Sequence, residues 1–269
     1  MIIANIVDHG VIYAFTGAFA GLMSGILGIG GGVIIVPALA YIFKHKPDFP
    51  SELSMHFAAG TSLAIMIVSS QLSLRAHHKK MTILWPVYRR LWPGIMIGTV
   101  IGALLADLLP SQILKLLFGL FLLLLCMKMY FDRKVAHVAH TPSPMLNFTV
   151  TALSGLASGL LGIGGGVLVI PYLTYCGIQI RQVAALSALC TMTVALVGAA
   201  AYIFTGMSES ALPRGATGYI FWPAVFWVAL PTAFFAPIGV NMTYKLPEKQ
   251  LRTGFIVFLL IVALDMLLD

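Results

Sequence analysis

Two clusters of glycines are the strongest sign of chemistry in this sequence. They comprise Gly28, Gly30, Gly31 and Gly32 in the first half of the chain and Gly162, Gly164, Gly165 and Gly166 in the second. Each glycine costs a helix interior about 1 kcal/mol relative to alanine, so each cluster predicts a helix break. A helix that restarts after a break presents backbone N–H groups and the positive end of its dipole, which suits an anion. The clusters therefore predict the two halves of one anion-binding site.

Small hydroxyl side chains follow each cluster on the next apolar stretch. They are Thr61 and Ser62 in the first half, and Ser187, Thr191 and Thr193 in the second. A hydroxyl can donate to a bound oxyanion without the cost of burying a charge. It can equally bond back to a carbonyl of its own helix, and for any single residue both interpretations stay open. We predict Thr61, Ser62, Ser187 and Thr191 as substrate ligands beside the glycines, with Thr61 and Ser62 the best supported.

Two other interpretations of the glycines were weighed. Glycines can simply allow helices to pack closely in a membrane, but such packing uses small residues four apart rather than a contiguous cluster. A dinucleotide fingerprint needs a βαβ unit around the motif, and both clusters lie in long apolar stretches. The second interpretation is therefore rejected, and the first is kept as the weaker alternative.

The composition predicts an all-α integral membrane protein. Of 269 residues, 59% are hydrophobic and 9% charged, with a mean hydropathy of +0.97, whereas soluble domains carry roughly 25% charged residues. Several apolar stretches approach or exceed the roughly 20 residues that cross a bilayer as helix. The formal net charge of +7 comes from basic residues in short loops, as in membrane proteins, so a nucleic-acid partner is not expected.

The chain contains an internal duplication. Residues 21–37 return as residues 155–171 with 12 of 17 positions identical. Trp85-Pro86 also returns as Trp222-Pro223. We predict a first transmembrane repeat at 1–131, a basic cytoplasmic linker at 132–144 and a second repeat at 145–269.

Each repeat is predicted to hold one glycine-broken stretch and three continuous helices, about eight helical segments in all. The predicted stretches are 11–43, 55–74, 91–109 and 113–131, then 145–176, 184–204, 220–244 and 251–268.

The distribution of basic residues favours inverted repeats over parallel ones. If each broken stretch crosses the membrane, nine of the 16 Lys and Arg lie inside and seven outside. If each broken stretch enters the membrane and returns to the same face, twelve of these basic residues lie inside and four outside. The second arrangement agrees better with the positive-inside rule.

The remaining polar residues give weaker signals. Asp8, Asp107 and Asp265 lie near segment ends, where a solvated acid is more frequent than a buried proton relay. The His and Lys residues at 77–80 lack acidic or Cys companions, and the three cysteines have no metal-ligand spacing. No metal, cofactor, nucleotide-binding motif or catalytic arrangement is expected, and the chain is not predicted to be an enzyme.

The doubled glycine motif, Gly60-Thr61-Ser62 and the repeated Trp-Pro pair resemble the TauE/SafE sulfite-exporter-like family, also called the toluene-sulfonate uptake permease family. The resemblance covers nearly the whole chain. It implies transport of sulfite, sulfoacetate or other organosulfonates across the bacterial cytoplasmic membrane. One departure is that the second repeat has Leu186-Ser187-Ala188 where the first has Gly60-Thr61-Ser62.

The prediction is a secondary transporter in the bacterial inner membrane that moves a small anion by alternating access, with the lipid bilayer as its environment and a homodimer left open. Two alternatives remain: an anion channel that uses the glycine backbone as a filter, and a membrane protein with an assembly or enzymatic role.

Overall fold

The computed structural model of the chain describes residues 2–27, 31–46, 49–78, 84–131, 143–178, 180–209, 212–243 and 248–268. Within these residues the chain is almost wholly helical. The prediction of an all-α membrane protein is confirmed.

Ten α-helices are found in the described part of the chain. They are α1 (Ile2–Leu27), α2 (Gly32–Lys44), α3 (Ser54–His78), α4 (Trp85–Leu108), α5 (Ser111–Phe131), α6 (Pro144–Leu161), α7 (Gly166–Tyr175), α8 (Ile180–Gly206), α9 (Trp222–Thr243) and α10 (Glu248–Leu268). A 3₁₀ turn at Ser51–Leu53 precedes α3, and two short strands, β1 (Ala216–Thr217) and β2 (Ile220–Phe221), form an antiparallel hairpin before α9.

Each glycine-broken stretch forms two helices, α1 with α2 and α6 with α7, so the eight predicted segments become ten helices. The predicted linker at 132–144 lies outside the described residues except for its last two. The hairpin is the main difference from the sequence-based prediction, which began a helix at residue 220. Gly215 (φ 88) and Gly218 (φ 54) adopt the left-handed conformation, which allows the chain to turn twice before α9 begins at Trp222.

Six of the described helical segments are long and apolar enough to cross a membrane. They are Ser51–Arg75, Trp85–Leu108, Ser111–Phe131, Pro144–Leu161, Gln182–Gly206 and Trp222–Gly239. The half-helices α2 and α7 have only 13 and 10 residues. At about 1.5 Å of rise per residue, each reaches at most about two thirds of the way through a hydrocarbon core of about 30 Å.

Helices α4 and α6 pack side by side through a series of glycines four residues apart. A Cβ on Gly98 would overlap the carbonyl oxygen of Ala152, and a Cβ on Gly102 would overlap that of Leu156. From the other side, a Cβ on Gly155 would overlap the carbonyl oxygen of Ile95. The two backbones are therefore in direct contact, and the two helices run parallel.

Helices α1 and α9 pack through glycines in the same way. We call each of these two contacts, α4 with α6 and α1 with α9, a glycine seam. A Cβ on Gly17 would overlap the carbonyl oxygen of Val228, and a Cβ on Gly21 would lie 2.6 Å from that of Thr232. The first helix of each repeat thus packs on the second continuous helix of the other repeat, α1 on α9 and α6 on α4. The glycines of these contacts recur with Gly-xxx-Gly spacing in the sequence, a pattern typical of close helix packing in membranes.

Equivalent helices of the two repeats meet in antiparallel pairs. In α5 and α10, Gly119 faces Leu267, and Cys126 Sγ donates to the Ile256 carbonyl oxygen at 3.7 Å. Residue numbers therefore rise along α5 as they fall along α10, so the two helices run antiparallel. Helices α3 and α8 behave likewise, because Gly198 faces Leu63 and Ser70 Oγ contacts Met192 Sδ at 3.2 Å.

Candidate functional site

The second glycine cluster ends one helix and starts another. Gly162 caps α6 with φ 70 and ψ 26, the left-handed conformation. A Cβ on this glycine would also overlap the Cα of Ala59 in α3. Both the backbone angle and the close approach therefore require glycine, and the predicted break is present here. Helix α7 restarts four residues later at Gly166.

The first cluster is described only in part. Gly28 and Gly30 lie outside the described residues, whereas Gly31 is the N-cap of α2 and Gly32 its first residue. Since α1 ends at Leu27, the chain leaves one helix and starts another within the cluster, as in the second repeat.

The two breaks meet each other. A Cβ on Gly32 would lie 3.0 Å from the Cα of Ile163, which follows Gly162 in the second break. The same Cβ would lie 3.1 Å from Sδ of Met66, and a Cβ on Gly164 would lie 3.3 Å from that sulfur. Met66, which is buried in α3, therefore stands between the beginnings of the two half-helices. No sequence pattern marks Met66 as part of a site, because methionine is common in apolar helices.

The half-helices lack side-chain caps at their N-termini. Neither Gly31 nor Gly165 makes a side-chain cap hydrogen bond. The first N–H of α7, from Gly166, instead donates to Thr191 Oγ1 in α8 at 3.2 Å. A Cβ on Gly166 would overlap Ser187 Oγ. The predicted residues of the second repeat are thus brought together, with the hydroxyls of Ser187 and Thr191 at the start of α7.

The hydroxyls of the first repeat have different surroundings. Thr61 Oγ1 accepts the backbone N–H of Phe221 at 3.1 Å, so this side chain holds the hairpin. Ser62 Oγ is fully buried and has no hydrogen-bond partner among the described atoms. Ser158 Oγ, in the last turn of α6, is buried and unpartnered in the same way. Burying an unsatisfied hydroxyl costs about 1–3 kcal/mol, which marks both groups as available to a ligand.

Ser158 was not predicted. Its carbonyl oxygen accepts the N–H groups of Gly162 and Ile163, so the residue lies at the second break. Ser62 lies close by, since it is three residues from Ala59, the residue that Gly162 touches, on the same face of α3. The repeated Ser at positions 24 and 158 of the duplicated motif was a signal that could have found it.

The elements around the breaks carry very little charge. Residues 143–178 contain no charged residue, and residues 49–74 contain only Glu52. An anion between the breaks would therefore be held by backbone N–H groups and hydroxyls rather than by Lys or Arg.

An apolar cavity of about 420 Å³ lies beside this region. Its lining includes Ala64, Ile67, Leu196, Ala199 and Trp222. Because the lining is apolar, the cavity does not suit an anion, and the meeting breaks remain the candidate site.

A second polar group lies at the end of the molecule that carries the hairpin. The Tyr219 phenol donates to Asp107 Oδ1 at 3.0 Å and approaches Glu209 Oε1 at 3.4 Å. Burial raises the pKa of this phenol, and its bond to Asp107 acts in the same direction. Asp107 and Asp265 are exposed, in agreement with the solvated ends favoured by the sequence, and the Asp8 side chain lies outside the described part of the structure.

Six described segments that are long and apolar enough to cross a membrane, together with two helix breaks that meet inside the molecule, are typical of a multi-pass membrane transport protein. The family model described as Sulfite exporter TauE/SafE matches residues 13–266. The chain belongs to this family, and the resemblance found in the sequence is confirmed.

Relatives in other organisms agree with a transporter. The chain is 36% identical over 253 residues to a probable membrane transporter protein of Haemophilus influenzae, covering 94% of this chain and 96% of the relative. It is 28% identical over 260 residues to a probable membrane transporter protein of Methanocaldococcus jannaschii, covering 94% and 93%. No solved structure matches the chain significantly.

Proposed function

We propose that this membrane transporter moves a small sulfur-containing anion, such as sulfite, sulfoacetate or another organosulfonate, across the bacterial cytoplasmic membrane by alternating access. The observation that carries the proposal is the meeting of the two breaks, where Gly32, Ile163 and Met66 come together. Half-helix N-termini that converge inside a membrane supply N–H groups and positive dipole ends to an anion.

The hydroxyls around the breaks complete the proposed site. Thr191 accepts from Gly166 and keeps its own O–H free to donate towards the substrate. Ser62 and Ser158 contribute buried hydroxyls that have no partner in the described structure. A tetrahedral or pyramidal oxyanion offers several acceptor oxygens, and such a set of neutral donors fits it. The choice of sulfur chemistry is supported by the description of the family, which names a sulfite exporter.

An inverted relation between the repeats is supported by the antiparallel pairs α5/α10 and α3/α8. Inverted repeats place equivalent helices antiparallel, whereas parallel repeats place them parallel. The Tyr219–Asp107 hydrogen bond gives a second argument. This bond places the end of α4 close to the end of α8. If α5 and α8 each cross the membrane once, as their lengths allow, an α6–α7 pair that enters from the opposite face and returns to it is supported.

Alternating access follows from this arrangement as part of the proposal. Each half-helix pair packs on the opposite repeat through a glycine seam, α6 on α4 and α1 on α9. Smooth helix surfaces without side chains between them allow such units to shift as bodies. The site at the breaks would then open to one face at a time as one unit rocks against the other.

The test is flux of ³⁵S-labelled sulfite, sulfoacetate and taurine into proteoliposomes that contain the purified protein. Saturable uptake of one anion, with exchange of that anion across the membrane, is the expected result. Flux that does not saturate would favour a channel, and absence of flux for every sulfur anion would refute the substrate assignment.

Two variants connect the flux to the site. Ser62→Ala removes one of the unpartnered hydroxyls and should weaken the apparent substrate affinity. Ser154→Ala is the matched control, because Ser154 Oγ donates to the Val150 carbonyl of its own helix at 2.7 Å. Equal affinities in the two variants would place the substrate elsewhere.

A further inference from the structure

A titratable cluster lies where α3 begins, α4 ends and the hairpin folds back. Its members are His56, Asp107, Glu209 and Tyr219. The His56 imidazole and the Tyr219 phenol are each only 2% exposed, whereas Asp107 is exposed. The ring centroids of His56 and Tyr219 are 5.1 Å apart. A buried histidine thus lies behind a phenol whose hydroxyl reaches a solvated carboxylate.

The hydrogen bonds of His56 define where its proton is. Nε2 lies 2.9 Å from the carbonyl oxygen of Ala106, which can only accept, so Nε2 carries a hydrogen. Nδ1 lies 3.2 Å from Ser111 Oγ. In the neutral ring Nδ1 therefore accepts from the serine hydroxyl, and both ring nitrogens are satisfied.

The same partners can accommodate a second proton. If Nδ1 is protonated, it donates to Ser111 Oγ, which keeps a further lone pair for the Met55 N–H that it accepts at 3.3 Å. Within these hydrogen bonds, protonation therefore needs only the rotation of one hydroxyl, and the remaining cost is that of burying the charged ring. The site does not force His56 into one charge state by geometry.

The charged groups that face His56 are two carboxylates. The carboxylate of Asp107, at the end of α4, accepts the Tyr219 O–H, and that of Glu209, after α8, lies 3.4 Å from the same hydroxyl. Tyr202 of α8 donates to the carbonyl oxygens of Gly159 and Leu160 and stays a neutral phenol. Ser111 of α5 carries no charge. Burial of the imidazole is the larger influence and disfavours the charged ring, and the two acids, with no base among these groups, oppose that cost in part.

The hairpin connects this cluster to the proposed substrate site. A Cβ on Gly60 would lie 2.6 Å from the carbonyl oxygen of Tyr219, so the hairpin backbone rests directly on α3. Two residues further on, Phe221 donates to Thr61 Oγ1. His56, Thr61 and Ser62 lie within two turns of α3, so a change of charge at His56 acts on the hairpin and on the helix that lines the breaks.

We infer that His56 is the proton-binding residue that couples a transmembrane proton gradient to transport, with the hydrogen-bonded pair of Tyr219 and the exposed Asp107 packed against its ring. The inference rests on the proposed function. The ligand is a single proton, which binds at Nδ1 of the ring and is carried with the anion. The net negative charge moved in each transport cycle is therefore smaller by one.

The test compares two assays in proteoliposomes that contain the full chain. Exchange of labelled for unlabelled anion at equal pH needs the substrate site but no coupling, whereas uphill accumulation under an imposed pH gradient needs both. His56→Gln keeps a donor for Ala106 and an acceptor for Ser111 but does not titrate. We expect exchange within about twofold of the wild type and gradient-driven accumulation reduced about tenfold, a coupling energy of ordinary size.

The pH profile supplies a readout that a purely structural role would not move. Exchange by the wild-type protein should change with pH as a single group titrates, and His56→Gln should flatten that profile. His45→Gln is the matched control, because His45 is an exposed histidine bonded to the Tyr41 carbonyl oxygen. The control should leave both assays unchanged.

The outcomes separate the inference from the proposed function. No exchange by the wild-type protein refutes the function itself. Exchange with intact accumulation and an unchanged profile in His56→Gln refutes the inference and makes His56 a structural link between α3, α4 and α5. Should His56→Gln fail to fold, Tyr219→Phe decides, because it removes only the hydroxyl that joins Asp107; an unchanged pH profile and full accumulation in that variant would overturn the inference.

Discussion

Gly98 of α4 and Ala152 of α6 bring two helix backbones into direct contact, because a Cβ on Gly98 would overlap the carbonyl oxygen of Ala152. Contacts of this kind replace side-chain interdigitation along both seams between the repeats. In lipid, where apolar side chains gain little from leaving the bilayer, such close backbone packing is a main source of helix association.

The seam predicts that Gly98→Ala destabilises the protein. The added methyl must push α4 and α6 apart, and overpacking of this kind costs about 1–3 kcal/mol. Thermal unfolding in detergent, followed by tryptophan fluorescence, measures the effect as a lower Tm. Gly254→Ala in α10 is the control, because a Cβ there would meet nothing within 4 Å, and alanine should leave Tm equal or raise it. A Gly98→Ala variant as stable as the control would contradict the packing.

The break at Gly162 predicts a difference between neighbouring glycines. Gly162→Ala must adopt a left-handed conformation that costs about 1–2 kcal/mol, and its methyl would also overlap the backbone of Ala59. At Gly164 a Cβ would lie 2.9 Å from Thr191 Cγ2, a side-chain atom that can shift. We therefore expect Gly162→Ala to lower Tm more than Gly164→Ala, measured side by side. The reverse order would mean that the break is placed differently.

The contact between Gly166 and Thr191 predicts a loss of substrate affinity in Thr191→Val. The variant removes a hydroxyl next to the start of α7, and a hydrogen bond to a charged ligand contributes about 1.5–3 kcal/mol, so KM for the anion should rise about tenfold or more. Thr191→Ser should restore most of the affinity. Thr149→Val is the matched control, because Thr149 is exposed and bonds the Met145 carbonyl oxygen of its own helix. Equal KM values for Thr191→Val and Thr149→Val would remove Thr191 from the site.

The inverted arrangement predicts how cysteines label from the two faces of the membrane. Cys176, after α7, should react with a membrane-impermeant maleimide from one face, and a cysteine introduced as Gln112→Cys should react from the other. Parallel repeats would place both on the same face. Ser208→Cys, on the hairpin side, should label with residue 112. Labelling is measured on intact cells and on inverted vesicles.

The labelling rate of Cys176 also has a predicted pH dependence. Burial raises the pKa of this thiol, and the bond with Tyr172 opposes the shift only in part. Because the thiolate is the reactive form, less of it is present at neutral pH than for an ordinary cysteine, and the rate should keep rising as the pH is raised into the alkaline range. A rate that levels off near neutral pH would contradict the raised pKa.

Much of this protein could be predicted from the sequence. The lengths of the apolar stretches predicted where the helices lie, because a segment in lipid must satisfy its own backbone hydrogen bonds and therefore forms a helix. The glycine clusters located the break at Gly162–Gly166, because no helix tolerates that density of glycine, and the duplicated motif indicated that the two breaks are related. These are local or compositional properties, and they need no knowledge of which helices touch.

The tertiary structure decided what depends on distant residues coming together. Met66 lies between the breaks, Thr61 holds the hairpin through Phe221, and Ser158 joins Ser62 near the second break, none of which follows from spacing along the chain. His56 is an ordinary histidine in the sequence, and it acquires a role only because the ends of α4 and α8 bring Asp107, Glu209 and Tyr219 to it. The physical reason is that helix formation is set by neighbours in sequence, whereas a site is set by which faces the packing brings together, and here glycine seams between opposite repeats determine that packing.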